Sequence, residues 1–467
     1  MFRITSIYQF FKRALSGGHE DFTKGSIRIS VLLLAIPMML EMMMESVFAL
    51  VDLYFVGHLE HSSFAVQTVG LTESVLAFVY SLAIGLSMAT TAVVARRIGE
   101  NDPERASRSG IQSLIIGMTI NVFIAIPGII FAEDILRLMG SSAQAATYGK
   151  TFTQIMMAST FIIMLLFLIN GIFRGAGNAA MAMRSLWISS IANIILCPIL
   201  INGFGPIPAF GLTGAALATT IGRSFGVVYQ FWHLFKGTHK IKVFLSYFTP
   251  DTEQIKALVK IAAPAVFQFA IASCSWTFLA NLVATTGGDE GSAGYQTAMR
   301  LMMFFMLPAW GMSGAAATLV GQNLGAKQIE RAERSVYVTA KFNVIYMGFV
   351  MLLSMLFASP LAHFFSNDPA VQEIGIKAVR IMASGYLFYG VGMVLINAFN
   401  GSGDTKTPTW INLFGFWFFQ IPLAYVLAIY FNLGPTGVFI AIPVAETAIS
   451  IAGVILFKRG RWKTVQV

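Results

Sequence analysis

Five carboxylates stand inside apolar stretches of this chain: Glu41, Glu45 and Asp52 in one stretch, Glu73 in the next and Glu446 near the end. At 100° per residue the first three lie within about 40° of one another around a helix, spread over roughly 16 Å of its length, so they form one polar stripe. A carboxylate at mid-membrane costs at least about 2.5 kcal/mol, which turns such a stripe toward protein or a water-filled cavity and makes an ion path its first functional reading. The structural reading is that these acids hydrogen-bond neighbouring helices and hold a bundle together. Function is the better reading for Asp52, whereas Glu41 and Glu45 fit both readings. Met38, Met39, Met42, Met43 and Met44 beside them suit either core packing or a deformable wall for drug-like molecules, with Met42 a candidate substrate contact. Glu73 falls at the outer depth of Asp52 and either shares a proton with it or anchors a helix start. Glu446 reads as structural.

Other chemistries find little support. No His lies deep in an apolar stretch, and no Gly-rich loop precedes a Lys-Ser or Lys-Thr pair of the nucleotide-binding kind. His58 and His61 with Glu60 between them imitate a metal site, but a solvated loop is the plainer reading. Cys197 and Cys274 are the only cysteines, which excludes a disulfide scaffold or a cysteine-rich metal centre. An intramembrane enzyme would need a nucleophile with its base, or a metal cluster, and nothing here supplies one. The expectation is a protein without cofactor, driven by an ion gradient; one charge crossing the membrane potential is worth about 2.3 kcal/mol per 100 mV.

The elements that must position these acids are membrane helices. The chain is 56% hydrophobic and only 11% charged, too few charges to cover a water-exposed surface. About twelve apolar stretches are long enough to cross a hydrocarbon core of about 30 Å. They lie near 27–57, 67–97, 106–132, 146–172, 180–203, 209–235, 254–285, 292–323, 335–359, 374–399, 407–432 and 434–457. The fold expected is an all-α membrane protein of twelve transmembrane helices. Its first span is too long for a cleaved signal, and Phe2 to Leu15 before it reads as a surface-lying amphipathic or a disordered segment.

The net charge of +9 is explained by topology rather than by nucleic acid. With the amino terminus inside, all basic residues but Arg137, Lys150, Arg300, Lys377 and Arg380 fall on the inner side, Arg223 and Lys260 being at its membrane edge. That bias follows the positive-inside rule and predicts a multi-pass protein of the inner (plasma) membrane with both termini cytoplasmic.

The chain also repeats itself. Pro37 matches Pro264, Gly85 and Ser87 match Gly311 and Ser313, Gly99 matches Gly325, and Arg105-Ala106 matches Arg331-Ala332. Phe173 to Gly177 falls on Phe399 to Gly403, and Gly211 to Gly214 on Gly434 to Gly437. A duplicated six-helix unit has both copies in one orientation, related by a pseudo-twofold axis along the membrane normal, with a cleft between the lobes. The predicted division is a cytoplasmic segment 1–26, an N-lobe 27–235, a linker 236–253, a C-lobe 254–457 and a tail 458–467.

Pro37, the run Val51 to Gly57, Gly85-Leu86-Ser87, Ala95 to Gly99, Val320 to Ala326 and the paired turns Phe173 to Gly177 and Gly401 to Thr405 together resemble the multidrug and toxic compound extrusion (MATE) family over the whole length. The resemblance implies an antiporter that exports amphipathic, cationic organic compounds as a monomer in contact with lipid. It implies a cation site in the amino-terminal lobe with Asp52 as carboxylate, Asn193 as amide ligand, Thr219 as hydroxyl and Pro37 as the point where span 1 bends. Some relatives carry an acid four residues after that Asn; here it is Cys197, a poor ligand for a hard cation, which favours H⁺ over Na⁺. Other branches use acids in spans 7 and 10, which this chain lacks, so a carboxy-lobe cation site is not expected. Gln268, Tyr389 and Asn397 are candidate substrate contacts, or packing residues, and Cys197 is a further candidate substrate contact. A lipid-linked saccharide flippase of related architecture is the alternative; it would need a basic cleft, and Arg300 reads as the clearest deep basic side chain.

Overall fold

The computed structural model describes residues 4–18, 20–57, 62–237, 240–365 and 368–467, and these are almost wholly helical. The first half holds α1 (Ile4–Ser16), α2 (Ile27–Gly57), α3 (Ser62–Gly99), α4 (Pro103–Ile130), α5 (Ala132–Leu138), α6 (Ala143–Gly175), α7 (Ala179–Asn202) and α8 (Leu212–Lys236). After a short loop come α9 (Thr252–Gly325), α10 (Ile329–Leu356), α11 (Ala358–Phe365), α12 (Pro369–Ala383), α13 (Tyr386–Ser402), α14 (Lys406–Tyr430) and α15 (Pro435–Lys458). Short polar connections start the helices. Asp102 accepts from Arg105 N (2.9 Å) with Pro103 in the first turn, Ser142 from Ala145 N (3.2 Å) and Asn178 from Met181 N (3.2 Å), each satisfying an amide that has no partner within its helix.

Among the described residues nine helices are long and apolar enough to cross a membrane: α2, α3, α4, α6, α7, α9, α10, α14 and α15. The bent pair α12 and α13, which meet at 56°, makes a tenth if both belong to one span. Two features separate this count from the expected twelve. α9 is one run of 74 residues that takes in both 254–285 and 292–323; Gly288, at φ 62° and ψ −156°, breaks it. α8 coincides with 209–235 but carries Arg223 and Gln230 in its buried middle and is not among the nine.

The internal repeat is visible in the backbone. Asn101 and Lys327 both adopt φ 59°, a left-handed conformation that costs a side-chain-bearing residue about 1–2 kcal/mol. They occupy matched positions, as do Gly177 at φ 87° and Gly403 at φ 90°. The same turns are built twice because the same local residues recur.

The closest seam joins α3 to α9. A Cβ on Gly99 would lie 2.0 Å from the carbonyl oxygen of Gln322, and one on Gly325 2.1 Å from that of Arg96, so only glycine permits this approach. The chain ends gather at the same end of the bundle: Arg96 donates to Val465 O, Arg97 to Val467 O (2.8 Å), and Arg331 to the carbonyls of Phe22, Lys24 and Gly25.

Candidate functional site

A cavity of about 580 Å³ lies between the two halves, walled by α2, α3, α6, α7 and α8 on one side and by α9 and α13 on the other. Its surface is mostly apolar, with Met38, Met42, Met88, Phe48, Phe167 and Trp310 prominent, and among the described residues its charged groups all come from the first half. α2 turns Glu41 and Glu45 into it, α3 contributes Glu73, α6 contributes Arg174 and α8 contributes Arg223.

These charges are organised in two tiers. In the inner one Glu41, 1% exposed, forms an ion pair with Arg174, and its Oε1 also accepts from Asn170 Nδ2 at 3.3 Å. Asn170 is itself held: its Oδ1 accepts from Gln230 Nε2 (2.6 Å) and Ser185 Oγ (3.1 Å). Glu41 Oε2 and Arg174 Nε are buried without a hydrogen-bond partner. In the outer tier Glu45 Oε1 stands 3.8 Å from Arg223 Nη2, a looser pair. Arg223 Nη1 donates to the Tyr80 hydroxyl at 2.8 Å, and the guanidinium lies 5.6 Å from the ring centres of both Phe48 and Tyr80, an aromatic cradle that suits a planar cation. Among the described residues, with all five groups ionised, three acids against two arginines leave one negative charge in excess.

Asp52 sits on α2 two turns beyond Glu45, but its side chain is outside the described residues, as are His58, Glu60 and His61. Asn193 and Thr219 are brought together: Asn193 Nδ2 donates to Thr219 Oγ1 at 3.0 Å, both are buried, and Asn193 Oδ1 has no hydrogen-bond partner. They lie behind the cavity wall rather than on it. Cys197, one turn further along α7, is fully buried among Val69, Leu200 and Ala215 and likewise does not line the cavity. Among the described residues no three His, Cys, Asp or Glu side chains are grouped to hold a metal ion.

Met42 and Asn397 do line the cavity, the latter donating to Ser313 Oγ (2.9 Å) and Met393 O (3.0 Å). Gln268 and Tyr389 do not. Gln268 is buried elsewhere with its Oε1 unpartnered, and Tyr389 borders a separate small void with Glu446. α2 runs continuously through Pro37, one turn before Glu41.

Arg300 is exposed and forms no part of the cavity; the deep basic groups are Arg174 and Arg223. Sequence reasoning misplaced both. Arg174 is the next-to-last residue of its helix and reads as an end charge, whereas its long side chain reaches back to Glu41 midway along α2. Arg223 carried a usable signal, an arginine twelve residues into a 25-residue helix.

The MatE family model matches the chain twice, over 37–199 and again over 264–426, so that Pro37 opens one match and Pro264 the other. The probable multidrug resistance protein YoeA of Bacillus subtilis is 25% identical over 448 residues, 95% of this chain and 96% of that protein. The probable multidrug resistance protein NorM of Thermotoga maritima is 26% identical, with 94% and 93% covered. Among solved structures, one described as the outward-facing conformation of a multidrug resistance MATE family transporter of the MOP superfamily superposes with a TM-score of 0.88 at 28% identity, over 94% of this chain and 97% of that one.

Proposed function

Because this chain belongs to the MatE family and is a secondary active multidrug efflux transporter, we propose that its central cavity binds amphipathic, mainly cationic organic compounds and exchanges them for protons. The observation that carries this reading is the cavity itself: an apolar, methionine-rich and aromatic wall of drug-binding size with an acid excess from Glu41, Glu45 and Glu73. Methionine side chains adapt to varied shapes, and the acids select for positive charge.

In this reading twelve spans form two six-helix lobes, 27–235 and 254–457. Counting the two arms of α9 separately, α12 with α13 as one span, and α8 as a span supports that number. The double match of one family model and the recurring turns at Asn101 and Lys327 support the pseudo-twofold relation. The excess of basic residues at the end carrying the termini supports a cytoplasmic location for that end, in the inner membrane. The glycine seam closes it, so the cavity faces outward.

Coupling is assigned to Asp52, Glu41, Glu45 and Glu73, and to the Asn193 and Thr219 pair. An apolar setting around Cys197 supports protons over Na⁺, since a thiol in place of a carboxylate is a poor partner for a hard ion. Protonating the acids cancels the attraction for a cationic substrate and lets it leave outward while the proton moves in. Pro37, which lacks the amide hydrogen an unbroken helix would use, is the point where α2 would bend.

The two cavity arginines favour one second reading, a lipid-linked saccharide flippase that grips pyrophosphate. Their pairing with Glu41 and Glu45 argues against it. Accumulation of a fluorescent cationic dye in an efflux-deficient host tests the choice: expression lowers accumulation under the transporter reading and leaves it unchanged under the flippase reading.

A further inference from the structure

Glu446 lies in the middle of α15, 6% exposed, and does not line the central cavity. It borders a small void of about 10 Å³ between α9, α13, α14 and α15, close to the least space that admits a single water. Its titratable neighbours there are Tyr389 on α13, whose hydroxyl reaches the carboxyl, and Tyr295 on α9; Tyr386 approaches Tyr389 from the same helix. Gln420 on α14 and Trp276 on α9 complete the polar lining, and among the described residues no Lys, Arg or His borders it.

We propose that Glu446 is a proton-binding site of the carboxy-terminal half, holding its proton in the closed arrangement and releasing it when the void opens to water. Three observations carry this. First, Glu41 and Glu45 each have an arginine, whereas nothing among the described groups around Glu446 balances a carboxylate, and an unbalanced charge at this depth is expensive. As the neutral acid, Glu446 has one O–H to donate and a carbonyl to accept from Tyr389, while Gln420 Oε1 is engaged by Ser275 Oγ at 3.2 Å. Second, α14 is wound as a π-helix from Leu413 to Gln420, ending on the residue that faces Glu446. Such widened turns have poorer hydrogen-bond geometry than an α-helix and are frequent at functional sites. Third, the repeat matches Glu446 to Arg223, so one fold position sends a base into the central cavity from the first half and an acid into a small separate void in the second. Packing alone would be served by an apolar residue at Glu446.

On opening, the O–H bond breaks, the proton passes to water, and the carboxylate is stabilised by hydration. The role in coupling rests on the transport reading above; the presence of the proton does not.

Infrared difference spectroscopy of the purified protein in lipid nanodiscs, between pH 6 and pH 9, tests the site. The expected result is a protonated-carboxyl C=O band that Glu446→Gln removes and Tyr389→Phe shifts in frequency without removing. In proteoliposomes Glu446→Gln, which has the shape of the neutral acid, should bind a permanently cationic dye as the parent does yet lose about tenfold in efflux driven by a pH gradient. A band that survives Glu446→Gln overturns the proposal, and so does a lost band with unchanged efflux, which would mark a purely structural acid. If the parent moves no dye at all, the transport reading fails, while the infrared result still decides the proton.

Discussion

Arg174, at the last turn of α6, reaches back to pair with Glu41 in the middle of α2, and Glu41 Oε1 is shared with the amide of Asn170 while Oε2 has no hydrogen-bond partner. A buried pair of this kind is more costly to break from one side than from the other. Removing the arginine strands a carboxylate that is almost completely enclosed, whereas removing the acid leaves an arginine whose side chain is 24% exposed. Arg174→Met is therefore expected to destabilise by about 3 kcal/mol and Glu41→Gln by clearly less. Thermal unfolding in detergent checks the order; equal shifts would contradict the geometry.

Closure of the end that carries the termini depends on Gly99 and Gly325. A methyl on Gly99 would sit 2.0 Å from a backbone carbonyl that no rotamer change can move. Gly99→Ala is expected to hold that end open, lengthening and broadening spin-label distances across α3 and α9, and to abolish efflux. Gly70→Ala serves as control, since nothing lies within 4 Å of the added carbon. It should leave both unchanged or stabilise slightly, because alanine favours a helix over glycine by about 1 kcal/mol.

The segment between α1 and α2 is pinned by Arg331 to the carbonyls of Phe22, Lys24 and Gly25, and by Asp21, whose carboxyl the Thr23 hydroxyl and amide hold down at about 2. A carboxylate depressed on folding adds stability that is complete above its unfolded pKa of 3.8 and is lost as pH falls from there through about 2. Proteolytic nicking between residues 16 and 26 should accordingly rise in that acid window. Asp21→Asn should weaken the pH dependence, leaving the share of Glu20, whose carboxyl Arg13 also holds down, and Arg331→Ala should raise nicking at every pH.

Much of this architecture was legible because its signals are local. Apolar length revealed an all-α, multi-span membrane fold, Gly and Pro punctuation revealed turns that recur, and the spacing of Glu41 and Glu45 placed both acids on one helix face that the cavity indeed uses. What escaped was tertiary. Arg174 and Glu41 are 133 positions apart, and no periodicity signals that they meet. Asn193 and Thr219 were linked only by family resemblance, yet they share a hydrogen bond behind the wall. The break at Gly288, by contrast, falls between the expected spans 254–285 and 292–323, and glycine alone accepts φ 62° with ψ −156°.

Asp52→Asn should abolish export while the protein remains folded and inserted, because neutralising a membrane acid lowers its burial penalty and removes only its charge. Wild-type resistance in a host producing the variant at normal levels would show that Asp52 takes no part in coupling.

The central claim, exchange of a cationic substrate for protons through the acid-lined cavity, is tested most directly by dye efflux from proteoliposomes under imposed gradients. Efflux should follow a pH gradient with Na⁺ equal on both sides, and a Na⁺ gradient at equal pH should not drive it. If Na⁺ alone drives transport and a pH gradient does not, the proton account is contradicted, and Cys197→Asp should then strengthen the Na⁺ dependence by supplying a hard oxygen ligand.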